Sequence, residues 1–134
     1  MNIGEAARRS GISSKMIRHY EQLGLIAPSG RSEAGYRVFS ERDLGLLRFI
    51  RQARSLGFSL EQIGQLVLLW QDEARASLDV KRVAERHLAD LDAKIRALQT
   101  MRDTLTHLVG HCPASDDPDC PILKRLAAGE DDAG

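Results

Sequence analysis

The stretch Ile3-Gly4-Glu5-Ala6-Ala7-Arg8-Arg9-Ser10-Gly11-Ile12-Ser13-Ser14-Lys15-Met16-Ile17-Arg18-His19-Tyr20-Glu21-Gln22-Leu23-Gly24 sets the fold. Ile3, Ala6 and Ala7 recur at i, i+3 and i+4, which gathers them on one face of a short helix. Ser10-Gly11 ends that helix, because glycine enters the left-handed conformation without a steric penalty. Ser13 and Ser14 offer hydroxyls to cap the next helix, which is expected to turn Met16, Ile17, Tyr20 and Leu23 inward. Gly24 closes it. Two short helices joined by a tight glycine turn form a helix-turn-helix.

Downstream, Pro28, Gly30 and Gly35 punctuate a stretch that ends in Tyr36-Arg37-Val38-Phe39. Alternation there puts Tyr36 and Val38 on one side and Arg37 on the other, the pattern of a short hairpin strand. A hairpin after a helix-turn-helix is a wing. Ser40 then caps a helix through Leu44, Leu47, Ile50 and Ala53 that ends near Gly57. Ser59-Leu60-Glu61-Gln62 is a capping box opening a helix through Ile63, Leu66, Val67 and Trp70. Residues 71–79 are a polar connection. From about Val80 to Val109 no Gly or Pro interrupts the chain. Ala84, Leu88, Leu91, Ile95, Leu98, Arg102, Leu105 and Val109 alternate four and three apart there, with Arg102 breaking an otherwise apolar seam. Thirty residues make about 45 Å of helix, long for the protein available to cover it. The seam's expected partner is the same helix of a second copy, as a coiled coil, with packing on the 60–70 helix covering one end only. Gly110 is expected to end this helix, followed by a loop and a short helix over Ile122–Ala127.

The chain has 134 residues, 43% of them hydrophobic and 28% charged, with a formal net charge of zero. That composition is too apolar for disorder and too charged for a membrane protein. The longest apolar run, Leu66 to Trp70, falls far short of the about 20 residues a span requires. No signal-peptide layout stands at the N-terminus, so a cytoplasmic location is expected. The zero is an average. Residues 1–60 hold ten basic and five acidic groups, a net +5, and residues 61–134 carry the opposite −5. The basic half is the one with the helix-turn-helix, which suggests a polyanionic partner.

The second helix of such a motif lies in the major groove with its N-terminal part toward base edges. Here it presents Lys15, Arg18 and His19 outward. Arg18, one turn in, can fork onto guanine or phosphate, and Lys15 near the start suits phosphate or base. The Tyr20 hydroxyl is expected to turn to the DNA backbone. In the wing, Arg31 and Arg37 flank Tyr36, a basic-aromatic group suited to an adjacent phosphate or minor groove, and Arg54 on the third helix joins the set. Nothing in the sequence pairs a nucleophile with a base, so no catalytic activity is expected.

Cys112 and Cys120 are the only cysteines, and the residues leave four readings open. A disulfide is disfavoured in a cytosolic protein. Two unrelated structural thiols are the plainest alternative. His107 and His111, one helical turn apart, would complete a tetrahedral zinc site with the cysteines. Two thiolates alone suit a soft monovalent ion. Cys120 precedes Pro121, the residue favoured at the first helical position, so its sulfur sits where an N-cap would and faces the positive end of the helix dipole. A thiolate is favoured there. Asp116, Asp117 and Asp119 are hard oxygen ligands expected to face water.

Ile3-Gly4-Glu5-Ala6-Ala7, Ile17-Arg18-His19-Tyr20-Glu21, Leu23-Gly24-Leu25 and Gly35-Tyr36-Arg37 resemble the N-terminal signature of the MerR family of transcription activators. The resemblance implies a homodimer on double-stranded promoter DNA, between boxes set too far apart. Effector binding would then distort the DNA so that RNA polymerase engages both boxes. The loop from Cys112-Pro113 to Asp119-Cys120-Pro121-Ile122 is similar to that of the copper-responsive, CueR-type members, which implies Cu(I), Ag(I) or Au(I) as effector and copper-efflux or detoxification genes as targets. In divalent-ion sensors of the family a third cysteine stands near the start of the dimer helix. Ser77 occupies that position here, so the resemblance implies two thiolates only and selectivity for a +1 ion. Residues 129–134 contain no Cys or His, and no second metal site is expected in them. The expected fold is mainly α: a winged helix-turn-helix domain over 1–70, a connection over 71–79, a long antiparallel coiled-coil dimerisation helix over 80–109, and a metal-binding loop, short helix and tail over 110–134. A zinc-responsive regulator using the cysteines and histidines is the alternative.

Overall fold

In a computed structural model, residues 1–28, 30–113 and 118–129 are described. The helices are α1 (Ile3–Ser10), α2 (Ser14–Gln22), α3 (Glu41–Ser55), α4 (Leu60–Gln71), α5 (Ser77–His111) and α6 (Pro121–Ala128), with strands β1 (Gly30–Arg31) and β2 (Arg37–Val38) between α2 and α3. The mainly helical, winged helix-turn-helix architecture with a long trailing helix is present. No helix among the described residues is long and apolar enough to cross a membrane. The contacts divide the chain into two units, Met1–His87 and Leu88–Gly134.

In the first unit the chain's own punctuation fixes each helix. The Asn2 side chain accepts from the Glu5 amide and caps α1, which closes on left-handed Gly11 at φ 75°. Ser13 caps α2 through the Met16 amide. Ser40 with Asp43, and Ser59 with Gln62, form reciprocal capping boxes that satisfy two otherwise orphaned amides each. β1 and β2 pair antiparallel with Gly30 opposite Val38 and Arg31 opposite Arg37. The wing's exit is tied to the chain start, Phe39 and Met1 exchanging N–H and carbonyl bonds of 2.8 Å each. Ile17, Phe39, Leu47, Ile50 and Ile63 are fully buried in one core shared by α1, α2, α3 and α4. Each such side chain contributes about 1.5–3 kcal/mol by leaving water.

The helices depart from the sequence reading at Leu23 and in the bounds of α5. Leu23, expected inward, is 50% exposed. It is the C-cap residue of α2, where the helical face no longer governs direction. α5 spans Ser77–His111 and not 80–109, so the polar connection shrinks to 72–76 and Ser77 is the first helical residue. Gly110 lies within α5 and does not end it. Gly lowers helix stability by only about 1 kcal/mol relative to Ala, too little to stop a long helix. Within α5, His87 is tied to the α3–α4 turn. His87 is 5% exposed, its ring 4.3 Å from that of Phe58 and its Nε2 2.8 Å from the Leu56 carbonyl oxygen.

In the second unit α5 continues as an uninterrupted helix. Its 35 residues make about 52 Å at 1.5 Å each. Leu88, Ile95, Leu98, Met101, Leu105 and Val109 are exposed, and Leu108 is buried. α6 begins with Cys120 as N-cap and Pro121 in its first turn, and ends on left-handed Gly129. The Cys120 side chain makes no capping hydrogen bond.

Candidate DNA-reading surface and metal loop

Lys15, Arg18 and His19 all stand exposed on α2, around a shallow cleft of about 490 Å³ that also takes in Met16 and Gln22. Helical spacing sets this: Ile17 and Tyr20 face the core and leave positions 15, 18 and 19 to the outside. Tyr20 takes the inward direction expected of its place on the helix. It is 4% exposed and belongs to the hydrophobic core, so its ring anchors α2 from beneath.

The wing turns at Gly35, whose φ of 82° is a conformation that residues with side chains rarely adopt. The Ser32 hydroxyl accepts from the Tyr36 amide at 3.2 Å, and Arg31 donates to the Gly35 carbonyl at 3.0 Å. Tyr36 projects from this turn, 73% exposed. Arg31, Tyr36 and Arg37 line, with Arg8 and Arg18, a cavity of about 840 Å³ against the first residues of the chain. Arg37 differs from the expected outward cation. Its Nε lies 2.6 Å from Glu21 Oε2, and both side chains are largely covered. The pair fastens the wing to α2. Arg54, in the last turn of α3, is exposed but does not line this cavity.

Arg8 and Glu21 escaped the sequence reading. Arg8 follows an apolar pair on a short helix and carries no local mark of function. Glu21 meets Arg37 sixteen residues away, and separation of that order leaves no periodic signal. A further pair, Arg9 with Glu41, is bidentate at 2.7 and 3.1 Å. That hydrogen bonding holds the Glu41 carboxyl below its usual range, with Arg48 adding a smaller effect in the same direction.

Cys112 and Cys120 are half-buried free thiols. The Cys112 amide donates to the Val109 carbonyl at 3.2 Å, so this residue sits just past the last turn of α5. Of the residues between the thiols, 114–117 lie outside the described residues, and with them Asp116 and the Asp117 expected to face water. Asp119 is exposed and pairs with Lys124 at 2.5 Å, which raises the Lys124 pKa. The His107 and His111 rings are 4.1 Å apart, but His111 Nδ1 is taken up by the His107 carbonyl at 2.8 Å. Among the described residues no three His, Cys, Asp or Glu side chains form a metal-holding group.

Two family models match the chain, one for the MerR helix-turn-helix regulatory protein over residues 1–68 and one for the MerR DNA-binding region over 44–108. The chain is 57% identical to heavy metal-dependent transcription regulator 2 of Rhizobium meliloti, over 96% of this chain and 88% of that protein. It is 45% identical to the transcriptional regulator CueR of Salmonella typhimurium, over 95% of this chain and 92% of the other. The crystal structure of the transcription regulator PbrR691 from Ralstonia metallidurans in complex with lead(II) superposes with a TM-score of 0.83 at 30% identity, over 94% of this chain and 98% of that one. With both family models matched in order along the basic helix-turn-helix, the wing and the long helix, the chain belongs to the MerR family of DNA-binding transcription regulators.

Proposed function

We propose that this protein is a homodimeric, cytoplasmic transcription activator that senses Cu(I), and through the same site Ag(I) or Au(I). Cys112 and Cys120 would hold the ion, and α2 and the wing would hold the promoter. The observation that carries this reading is the pair of half-buried free thiols at the two ends of one loop, with a serine at the first residue of α5. Two thiolates around a +1 ion leave one net negative charge. The Cys120 position offers compensation, since the first amides of α6 point toward it and carry the positive end of the helix dipole. Relatives named for heavy-metal dependence and for CueR support a metal effector. The zinc alternative has no observation in its favour.

The exposed apolar row of α5 supports the dimer. Leu88, Ile95, Leu98, Leu105 and Val109 follow the four-and-three spacing of a coiled-coil seam and are left in water by a single chain. On DNA, Lys15, Arg18, His19, Arg31, Tyr36 and Arg54 supply contacts in this reading, with Arg37 holding the wing in place. Metal binding at the loop would shift α5 and, through the paired DNA-reading units, distort the promoter so that RNA polymerase engages it. Genes for copper efflux and detoxification are the targets this implies.

The test is metal binding at fixed free ion, Cu(I) against Zn(II), with a promoter reporter read in parallel. Cu(I) is expected to bind and activate the parent protein. Cys112→Ser and Cys120→Ser should each abolish the response while promoter binding persists. Full activation by copper in either variant would overturn the two-thiolate site. Ser77→Cys is expected to broaden the response toward divalent ions, and an unchanged metal profile would remove Ser77 from selectivity.

A further inference from the structure

His107 and His111 stand one turn apart at the C-terminal end of α5, and both are exposed. His107 lies two residues from both Leu105 and Val109, so about 200° around the helix from each. A coiled-coil seam along that apolar row points away from the imidazoles and leaves them open in the dimer. Their ring centroids are 4.1 Å apart. Two histidines at i and i+4 on one helical face have the spacing by which a helix holds a transition-metal ion between imidazoles. Hydrogen bonding prepares one ring for this. His111 Nδ1 lies 2.8 Å from the His107 carbonyl oxygen. A carbonyl only accepts, so Nδ1 carries the hydrogen and the Nε2 lone pair is left for an ion. Metal-bound histidines use the same division, one ring nitrogen donating to a carbonyl while the other ligates.

Position along the helix favours a cation there as well. The negative end of the helix dipole attracts positive charge, and His111 is the only basic residue in the last turn of α5. Asp103, exposed one turn before His107, adds a negative charge on the same strip. Imidazoles are borderline donors that suit Cu(II), Ni(II) and Zn(II), with Cu(II) held most tightly, whereas thiolates suit softer ions. We propose that His107 and His111 form a second metal site, a two-imidazole clip for a divalent transition-metal ion in which no thiol takes part. Among the described residues no third His, Cys, Asp or Glu side chain joins the pair, so water completes the coordination and the ion is exchangeable. The clip bridges the turn that contains Gly110, the poorest helix former in that stretch. A bound ion therefore holds helical the residues that lead into Cys112.

The experiment titrates the full chain carrying Cys112→Ser/Cys120→Ser with Cu(II), Ni(II) and Zn(II) in the absence of reductant. If that variant is unfolded by circular dichroism, the parent protein with both thiols alkylated takes its place. Tightest binding is expected for Cu(II), with nitrogen hyperfine coupling in its electron paramagnetic resonance spectrum. With Zn(II), amide exchange should slow across residues 108–112. His107→Gln and His111→Gln should each weaken binding by about tenfold or more. The variant with both changes should be no weaker than either alone, because one remaining imidazole cannot chelate. Affinity unchanged in either single variant overturns the site, and so do losses that add, which would mark two independent imidazoles. Binding that leaves exchange at 108–112 unchanged also overturns it, since an ion on one ring does not bridge the turn. The thiols are absent or blocked throughout, so a failure here leaves the two-thiolate effector site standing, and a parent protein unresponsive to Cu(I) leaves the clip standing.

Discussion

The first 87 residues and the remainder of the chain solve the burial problem in opposite ways. In the first unit short helices, each capped by a neighbouring Ser or Asn, close over a core in which Ile17, Leu47, Ile50 and Ile63 are fully buried. In the second, the part of α5 beyond His87, about 36 Å of helix, leaves Leu88, Ile95, Leu98 and Leu105 in water. The first unit completes its core within one chain, and in the proposed function that core is what positions the DNA-reading side chains. The second leaves an apolar row uncovered in a single chain, and in the proposed function its packing is the part that an ion bound at Cys112 and Cys120 would shift. A regulator needs both, a fixed reader and a part whose packing can be shifted.

The largest expected effect puts this contrast to the test with two truncations. Ile17→Ala should lower stability by about 2–5 kcal/mol in urea unfolding, independent of protein concentration. Leu98→Ala should act through association, so that its effect shrinks as protein concentration rises. Equal, concentration-independent losses in both variants would break the distinction between the two units.

A smaller effect is expected where α5 is fastened to the reader. His87→Leu removes the Nε2 donor and leaves the Leu56 carbonyl oxygen without a partner, a loss of about 1–3 kcal/mol. His87→Gln, which keeps an N–H donor, should recover part of it. Unfolding free energies of the three proteins measure this directly. A His87→Leu protein as stable as the parent would mean that ring packing on Phe58, and not the hydrogen bond, secures the helix.

The smallest effect concerns the exposed Arg9–Glu41 pair. Hydrogen bonding lowers the Glu41 pKa in the folded state from its ordinary 4.5. Its contribution is therefore complete above that value and is lost as pH falls through the depressed one. Glu41→Gln should flatten the acid side of a stability–pH curve slightly and leave neutral pH nearly unchanged, as expected for a surface pair. A steeper acid limb in the variant would reverse the sign of that contribution.

The helix boundaries that the sequence makes legible are those written in adjacent residues. Ser13, Ser40 and Ser59 cap amides three positions on, and Gly11 closes the helix directly before it. The candidate metal loop is legible for the same reason, its cysteines standing at the ends of one short segment with Pro121 marking the next helix. Gly110 misled because a glycine permits a helix end without requiring one. The direction of Tyr20 was open to two readings, since a tyrosine with one polar atom serves a core or a phosphate equally well.

The sequence by itself determined the order of elements, the basic character of residues 1–60 and the identity of the two thiols, since caps, periodicity and charge are properties of neighbouring residues. Only the tertiary structure decided that Arg37 fastens the wing through Glu21, that His87 holds α5 to the α3–α4 turn, and that Arg8 lines the cavity of the wing. Those are meetings between residues far apart along the chain. No local pattern encodes them, because they arise only when the core brings separate helices together.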